Sequence, residues 1–228
     1  MTAVSPSGSD KLGSTAFPMH VLLDSGTSFT NLPQDLVNEI YNEVGAIFDS
    51  NGNPLVACKQ SSSKSYFSFG FGGPNGAVVN VSMNELVIPG AVGKMSGSSN
   101  SGEDACQFGI LPVGSNSTTQ SLILGDIFLR SAYVVYDLVN NEVGMAPAVF
   151  NATKSNVVPF ASSGAPIPSS TPAPSQGDVD LQGAAVTATA RAYAASRGFV
   201  NAASRMGRPT LGPAVVASFV AVIICLLW

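Results

Sequence analysis

Short apolar runs separated by turn residues extend from residue 17 to residue 150, and this pattern constrains the fold most. The candidate strands are three to six residues long and cover 21–23, 66–71, 77–81, 85–88, 121–124 and 132–136. The glycine-rich run at 72–76 separates two of them, as a hairpin loop would. The pattern predicts an all-β domain with short helices.

One amphipathic helix is predicted between Pro33 and Gly45. Pro33 can occupy the first helical position and Gly45 the C-terminal cap. The apolar residues between them fall on one stripe, which consists of Leu36, Val37, Ile40, Tyr41 and Val44. The polar side chains are expected on the outer face, at Asp35, Asn38, Glu39, Asn42 and Glu43. A second short turn is predicted over 127–130, with Asp126 as its N-cap.

The composition changes on both sides of residues 17–154, which form the predicted domain. Residues 1–16 are polar and lack the apolar core of a signal peptide, so we expect a disordered or truncated start. Residues 155–190 consist mainly of Ser, Thr, Pro, Ala and Gly. Such a segment cannot bury enough apolar surface to offset its ordering entropy. We therefore expect a disordered stalk over 155–201, a candidate for O-glycosylation.

The C-terminal residues 202–228 carry a membrane signal. Residues 212–228 are apolar apart from Ser218 and would form a helix about 26 Å long, just short of a hydrocarbon core of about 30 Å. An eight-residue polar spacer at 204–211 precedes them. This arrangement predicts a glycolipid (GPI) attachment signal with Asn201 as the acceptor, and Ser196 or Gly198 as alternatives. A retained transmembrane helix is the competing interpretation.

Charge and metal-ligand counts exclude several classes of function. Residues 1–180 contain six basic and fourteen acidic side chains, a net charge of −8, which argues against nucleic acid as a partner. With one histidine, three cysteines and no Cys-x-x-Cys pair, neither a structural zinc site nor a His-Glu-x-x-His hydrolase is predicted. No metal or cofactor is therefore expected. His20 is interpreted as a half-exposed strand residue, because it would lie about 13 Å from Asp24 along a strand.

Three Asn-x-Ser/Thr sequons, at Asn80, Asn116 and Asn151, favour passage through the secretory pathway. In an oxidising compartment, Cys58 and Cys106 are predicted to form a disulfide rather than remain as two free buried thiols. The bond would close a loop of 48 residues.

Two short motifs carry the candidate chemistry. Asp24-Ser25-Gly26-Thr27 follows an apolar strand, and about 100 residues later Leu124-Gly125 ends another. Together, segments 21–33 and 123–137 resemble the C-terminal lobe of a pepsin-like aspartic protease, and the resemblance covers roughly residues 17–160. The stalk and the tail look most like those of the fungal cell-surface branch, the yapsin-like proteases.

The resemblance implies one lobe of the acid protease fold, in which the Asp24 loop and the Leu124-Gly125 strand thread into a ψ-shaped motif. It assigns Asp24 as a catalytic carboxylate, with Gly26 donating its N–H to that carboxylate. It also assigns Ser25 to a bond with the other lobe. Substrate contacts and loop support are assigned to Gly26, Thr27, Ser28, Leu124 and Gly125. The chemistry would be hydrolysis of protein or peptide substrates by a water held between two carboxylates.

Only one Asp-Ser/Thr-Gly sequence occurs, so the chain would supply half of such a site. The second carboxylate would come from an N-terminal lobe that this chain lacks or from self-association, and the isolated chain is expected to be inactive. We expect an aspartic endopeptidase at the cell surface, GPI-anchored to the membrane or wall. The alternative is a catalytically incomplete, wall-anchored binding lobe.

Overall fold

The computed structural model describes residues 1–8, 12, 17–97, 100–113 and 122–174. Several predictions made from sequence fall outside these residues: the sequon at Asn116, the start of the strand at 121, residues 175–201 of the stalk, the acceptor Asn201 with its alternatives Ser196 and Gly198, and the spacer and apolar tail. The described residues form thirteen strands, three α-helices and one 3-10 helix (Cys58–Ser62). The helices are α1 (Gln34–Val44), α2 (Met83–Leu86) and α3 (Asp126–Leu129). The strands are β1 (Ala3–Pro6), β2 (Leu22–Leu23), β3 (Thr30–Leu32), β4 (Ile47–Phe48), β5 (Pro54–Ala57), β6 (Tyr66–Gly70), β7 (Val78–Ser82), β8 (Val87–Lys94), β9 (Asp104–Phe108), β10 (Ile110–Pro112), β11 (Ile123–Leu124), β12 (Ala132–Asp137) and β13 (Glu142–Pro147).

The strands form four sheets. Two are antiparallel, with strand orders β1-β6-β7 and β4-β5-β9-β8, and the hairpin β12-β13 forms a third. The fourth sheet, of order β10-β3-β11-β2, mixes parallel and antiparallel pairs. The predicted all-β fold with short helices is confirmed.

The core lies between the β1-β6-β7 sheet, helix α1 and the short strands around β11. Every second residue of β6 and β7 points inward, so Phe67, Phe69, Val79 and Val81 are almost fully buried. Phe128 of α3 packs edge-to-face on Phe69, with a centroid distance of 5.3 Å. The alternating pattern of the sequence therefore sets which face of this sheet is buried.

Helix α1 forms where the sequence predicts it. Pro33 is the N-cap residue, in an extended conformation, rather than the first helical residue. Gly45 adopts a left-handed conformation (φ 65°), and the next amide, of Ala46, donates to the carbonyl of Tyr41. The Tyr41 hydroxyl donates to the carbonyl of Ile110 at 2.9 Å, which ties the helix to β10.

Two acidic residues of α1 are not on the outer face. Glu39 and Glu43 are each only 5% exposed, so the prediction that they line the solvent side is wrong. The buried surface of the helix therefore extends beyond the one apolar stripe. Burial raises the pKa of Glu43, and the nearby carboxylate of Glu39, one turn away, raises it further.

Other elements differ from the sequence expectation at their boundaries. The predicted strand at 85–88 is wrong for its first half: residues 83–86 form α2, and β8 begins at Val87. Met83 and Leu86 are both buried, three residues apart, which suits a helical turn. Asp126 is not the N-cap of α3, because Gly125 takes that position and Asp126 lies in the first turn.

Strand β1 lies within the stretch predicted to be a disordered or truncated start. It pairs antiparallel with β6, and Val4 is fully buried. The expectation of disorder is wrong for these four residues, because they pair with the open edge of β6 and three of them are buried there.

Cys58 and Cys106 form the predicted disulfide, with a Cα–Cα distance of 4.9 Å. It joins the start of the 3-10 helix to β9. Beyond Pro147, the described residues form turns and bends without a helix or strand. No helix in the described part of the chain has the length and apolar character needed to span a membrane.

The buried carboxylate of Glu43 predicts a stability that depends on pH. Since the pKa of Glu43 is raised in the folded state, folding holds its proton more tightly, and the stabilising protonation is lost as pH rises above the ordinary value of 4.5. Glu43→Gln should therefore increase the free energy of unfolding at pH 7, by about 1 kcal/mol, and change it little at pH 4. Urea unfolding at both pH values measures this.

The matched control is Glu142→Gln, which removes a carboxylate at an exposed position. It should have little effect at either pH. A Glu43→Gln variant that is equally or less stable than the wild type at pH 7 would contradict the prediction.

Candidate active site

Strand β11 passes between β2 and β3, and this threading forms the floor of the candidate site. It pairs in parallel with β2 through Ile123–Leu22 and Leu124–Leu23, and antiparallel with β3 through Ile123–Asn31. Strands β2 and β3 flank the Asp24 loop, so a strand from about 100 residues later runs beneath that loop. The ψ-shaped arrangement expected from the resemblance is therefore present.

Gly125 sets how closely the two segments approach. A Cβ atom at this position would overlap the carbonyl oxygens of Thr27 and Phe29, so a side chain cannot be placed there without moving the loop. The amide of Asp126 donates to the Thr27 carbonyl at 2.7 Å, and the amide of Ile127 donates to the Ser28 carbonyl at 3.2 Å. The backbone after β11 thus holds the second half of the Asp24 loop.

The first half of the loop is held by its own strand pairing. The amide of Asp24 donates to the carbonyl of Leu124 at 3.2 Å, and Leu124 is fully buried beneath it. Thr27 donates its amide back to the Asp24 carbonyl at 3.3 Å, which closes a tight turn. The position of Asp24 is therefore determined by backbone bonds on both sides.

Both carboxylate oxygens of Asp24 accept hydrogen bonds from its own loop. Oδ1 accepts the amide of Gly26 at 2.9 Å, and Oδ2 accepts the Thr27 hydroxyl at 2.6 Å. The Thr27 hydroxyl, and then the Gly26 amide, lower the pKa of Asp24 below its ordinary value of 3.8, against a smaller opposing effect of desolvation. These bonds therefore favour the ionised form of Asp24.

The loop opens to solvent around this carboxylate. Asp24 and Thr27 are half-buried, while Ser25, Gly26 and Ser28 are exposed. An ionised carboxylate in this position can accept a proton from a water molecule and can face a second molecule or lobe.

Two other acidic residues near these segments, Asp137 and Asp126, stabilise local backbone structure. Asp137 accepts the amides of Val139 and Asn140 at 3.1 Å each, and its other oxygen accepts the Asn140 side-chain amide at 2.7 Å. These bonds lower the pKa of Asp137 and shape the turn after β12. Asp126 is exposed in the first turn of α3, where a negative charge suits the helix N-terminus.

The remaining predicted residues lie away from the Asp24 loop. Asn80 is exposed on β7, where its side-chain oxygen accepts the Ser68 hydroxyl, and Asn151 is exposed in a turn with φ 56°. His20 is exposed just before β2, so its interpretation as a half-exposed strand residue is wrong. Within the described ranges, no group of three or more His, Cys, Asp or Glu side chains is placed to hold a metal ion.

Sequence reasoning missed one interaction of the site. It assigned Thr27 to the substrate backbone and did not foresee that its hydroxyl bonds to Asp24. A signal exists, because a Thr three residues after an Asp at a strand end is a common turn arrangement in which the short side chains bond locally.

Comparison with known proteins places these features in a family. Residues 3–148 match the family model described as eukaryotic aspartyl protease. The chain is similar to a probable aspartic-type endopeptidase OPSB of Arthroderma benhamiae, at 40% identity over 161 residues, covering 69% of this chain and 31% of that protein. It is also similar to aspartic proteinase yapsin-3 of Saccharomyces cerevisiae, at 32% identity over 186 residues, covering 81% and 33%. The chain therefore spans about a third of the length of the curated relatives it matches.

The bond from Thr27 to Asp24 predicts a measurable pKa difference. Thr27→Val removes the hydroxyl that stabilises the ionised carboxylate, so the pKa of Asp24 should rise towards 3.8. Thr27→Ser keeps a hydroxyl at the same position and should leave the pKa depressed. An NMR titration of the Asp24 carboxyl carbon measures both variants, and equal pKa values in the two would contradict the assignment.

Proposed function

Because this chain belongs to the eukaryotic aspartyl protease family, we propose that it is the C-terminal lobe of a pepsin-like aspartic endopeptidase. In this proposal, Asp24 is one of two catalytic carboxylates. The observation that supports it most is the surroundings of Asp24: a half-exposed carboxylate above threaded strands, whose ionised form is favoured by the Thr27 hydroxyl and the Gly26 amide.

The proposed reaction is hydrolysis of peptide bonds in protein substrates. A water held between the two carboxylates loses a proton to the ionised one as it attacks the carbonyl, and the protonated one donates a hydrogen bond to the carbonyl oxygen. Two carboxylates about 3 Å apart share one proton, so the pair titrates as a unit. Gly26 and Thr27 contribute by orienting Asp24 and stabilising its negative charge.

The second carboxylate is proposed to come from an N-terminal lobe. The mechanism needs two aspartates, whereas this sequence contains one Asp-Ser/Thr-Gly. The exposed Ser25 hydroxyl, next to Asp24, is in a position to bond across to that lobe.

We further propose that the enzyme acts at the cell surface, attached through a GPI anchor at Asn201. The small residues at 201–203, the polar spacer and the apolar tail support an anchor signal. The exposed sequons at Asn80 and Asn151 are compatible with glycosylation in the secretory pathway. One relative is a yapsin by name.

The catalytic role of Asp24 is tested in a two-lobe protein. The chain is fused to the upstream part of the Arthroderma benhamiae relative, and cleavage of casein is assayed at acidic pH. The fusion should cleave, the isolated chain should not, and Asp24→Asn should reduce turnover of the fusion by at least about a hundredfold. An active Asp24→Asn fusion, or an active isolated chain, would disprove the proposal.

Glu142→Gln serves as the control for this experiment, since Glu142 is exposed on β13. Its fusion should retain full activity. Circular dichroism of all fusions distinguishes loss of chemistry from loss of folding.

The anchor is tested by expression behind a secretion signal in a fungal host. The wild type should remain on the membrane and be released by phosphatidylinositol-specific phospholipase C, whereas Asn201→Gln should lose this attachment or shift it to Ser196 or Gly198. Asn151→Gln should lose a glycan and keep the anchor. A wild type that stays on the membrane after phospholipase treatment would show a retained transmembrane helix instead.

A further inference from the structure

The proline-rich region does not leave the domain at residue 155, as an extended stalk would. Residues 162–173, which we call the strap, lie against the hairpin β12-β13 and the loop between β6 and β7. We propose that the outer face of this hairpin is a binding surface for an extended, proline-rich segment, and that the strap of the same chain occupies it.

The first contact is at the tip of the hairpin. Asp137 fixes the side chain of Asn140 by accepting its amide nitrogen at 2.7 Å. The same nitrogen faces the carbonyl oxygens of Gly164 and Ala165 at 3.4 and 3.3 Å. Val139 borders Gly164, with its Cγ1 atom 3.7 Å from where a Cβ of residue 164 would lie. The tip therefore presents an oriented donor and an apolar side chain to the strap backbone.

The second contact is in the middle of the hairpin, at Gly144. Gly144 pairs with Val135 across the two strands, and the absence of a side chain leaves a slot on this face. The Cδ1 atom of Ile167 fills the slot, 2.9 Å from the position that a Cβ of residue 144 would take. This face is opposite to the one on which Ala132 and Met145 pack on the core.

The third contact is at the loop after β6. Gly72 has a φ of +70°, and the Cβ of Ala173 lies 2.5 Å from where a Cβ of residue 72 would lie. The strap thus crosses from the hairpin tip to the β6-β7 loop and meets a glycine at two of its three contacts. Glycines at these points let an extended chain approach the surface closely.

The local structure of the strap suits docking. The amide of Ala165 donates to Ser162, and that of Ser170 donates to Ile167, so two turns flank the Pro166-Ile167-Pro168 segment. Proline fixes φ, which lowers the entropy lost when the segment is ordered. Ala165, Ile167, Pro168 and Ala173 are the half-buried residues of the strap, and the rest are exposed.

The attachment of the strap sets where the chain leaves the surface of the domain. The strap contains no charged residue, so its attachment rests on apolar contact and backbone hydrogen bonds. Because the strap is held as far as Ala173, the chain leaves this surface at the β6-β7 loop rather than at the end of β13.

Hydrogen exchange of the whole chain, followed by mass spectrometry, tests the proposal. Within residues 163–171, the amides of Ala165 and Ser170, which donate to Ser162 and Ile167, should be protected in the wild type. Ile167→Ser removes the side chain in the slot, and Gly144→Val fills the slot from the hairpin side. Both variants should exchange at least tenfold faster over 163–171, while peptides from β5 and β9 keep their protection and show that the domain is folded.

Val157→Ser is the matched control, because Val157 is 86% exposed outside the strap. It should exchange like the wild type over 163–171. Protection should also be unchanged by hundredfold dilution, since the strap binds within one chain. Wild-type exchange as fast as in Ile167→Ser, or protection that disappears on dilution, would overturn the proposal.

Discussion

The passage of strand β11 between β2 and β3 is the constraint on which the candidate site depends. It brings residues 123–126 under a loop that lies about 100 residues earlier in the chain. The approach is possible because Gly125 has no side chain to overlap the carbonyls of Thr27 and Phe29. The loop then takes backbone bonds from Asp126 and Ile127 and holds Asp24 at the surface. Without this contact, Asp24 would lie in an ordinary exposed turn.

The pKa values of two carboxylates in this domain, those of Asp24 and Glu43, are shifted in opposite directions. At Asp24, solvent access and two donors from its own loop favour the charged form, so its pKa is lowered. At Glu43, burial and the neighbouring carboxylate of Glu39 disfavour charge, so its pKa is raised. Glu43 therefore contributes less to stability as pH rises above its ordinary pKa, whereas the contribution of Asp24 is lost as pH falls through its lowered pKa.

The proline-rich region shows how composition and local sequence differ in what they predict. Its content of Ser, Thr and Pro indicates a segment that cannot form a core of its own. A segment of this kind can still dock on a surface already built by other residues, and Gly144 and Gly72 provide room for Ile167 and Ala173. Composition describes what the segment does in isolation, whereas docking depends on the surface it meets.

Much of the fold could be predicted from residue patterns alone. The ψ-shaped arrangement was implied by the family resemblance that the Asp-Ser-Gly-Thr and Leu-Gly motifs carry. Alternation gave the inward faces of β6 and β7, and Gly45 marked the end of α1. These features succeed because they depend on a few adjacent residues and on the period of one element. The errors lie where a distant segment intervenes: β1 forms on the free edge of β6, and Glu39 and Glu43 are covered by neighbours.

The sequence by itself determined the strand-rich class, helix α1 and the identity of the carboxylate at position 24, because each follows from local periodicity or a contiguous motif. Only the tertiary structure decided that the Thr27 hydroxyl bonds to Asp24, that Glu43 is buried and that residues 162–173 are docked. These depend on distances between atoms from separate segments or on the path of one tight turn. A linear pattern of residue types does not contain those distances.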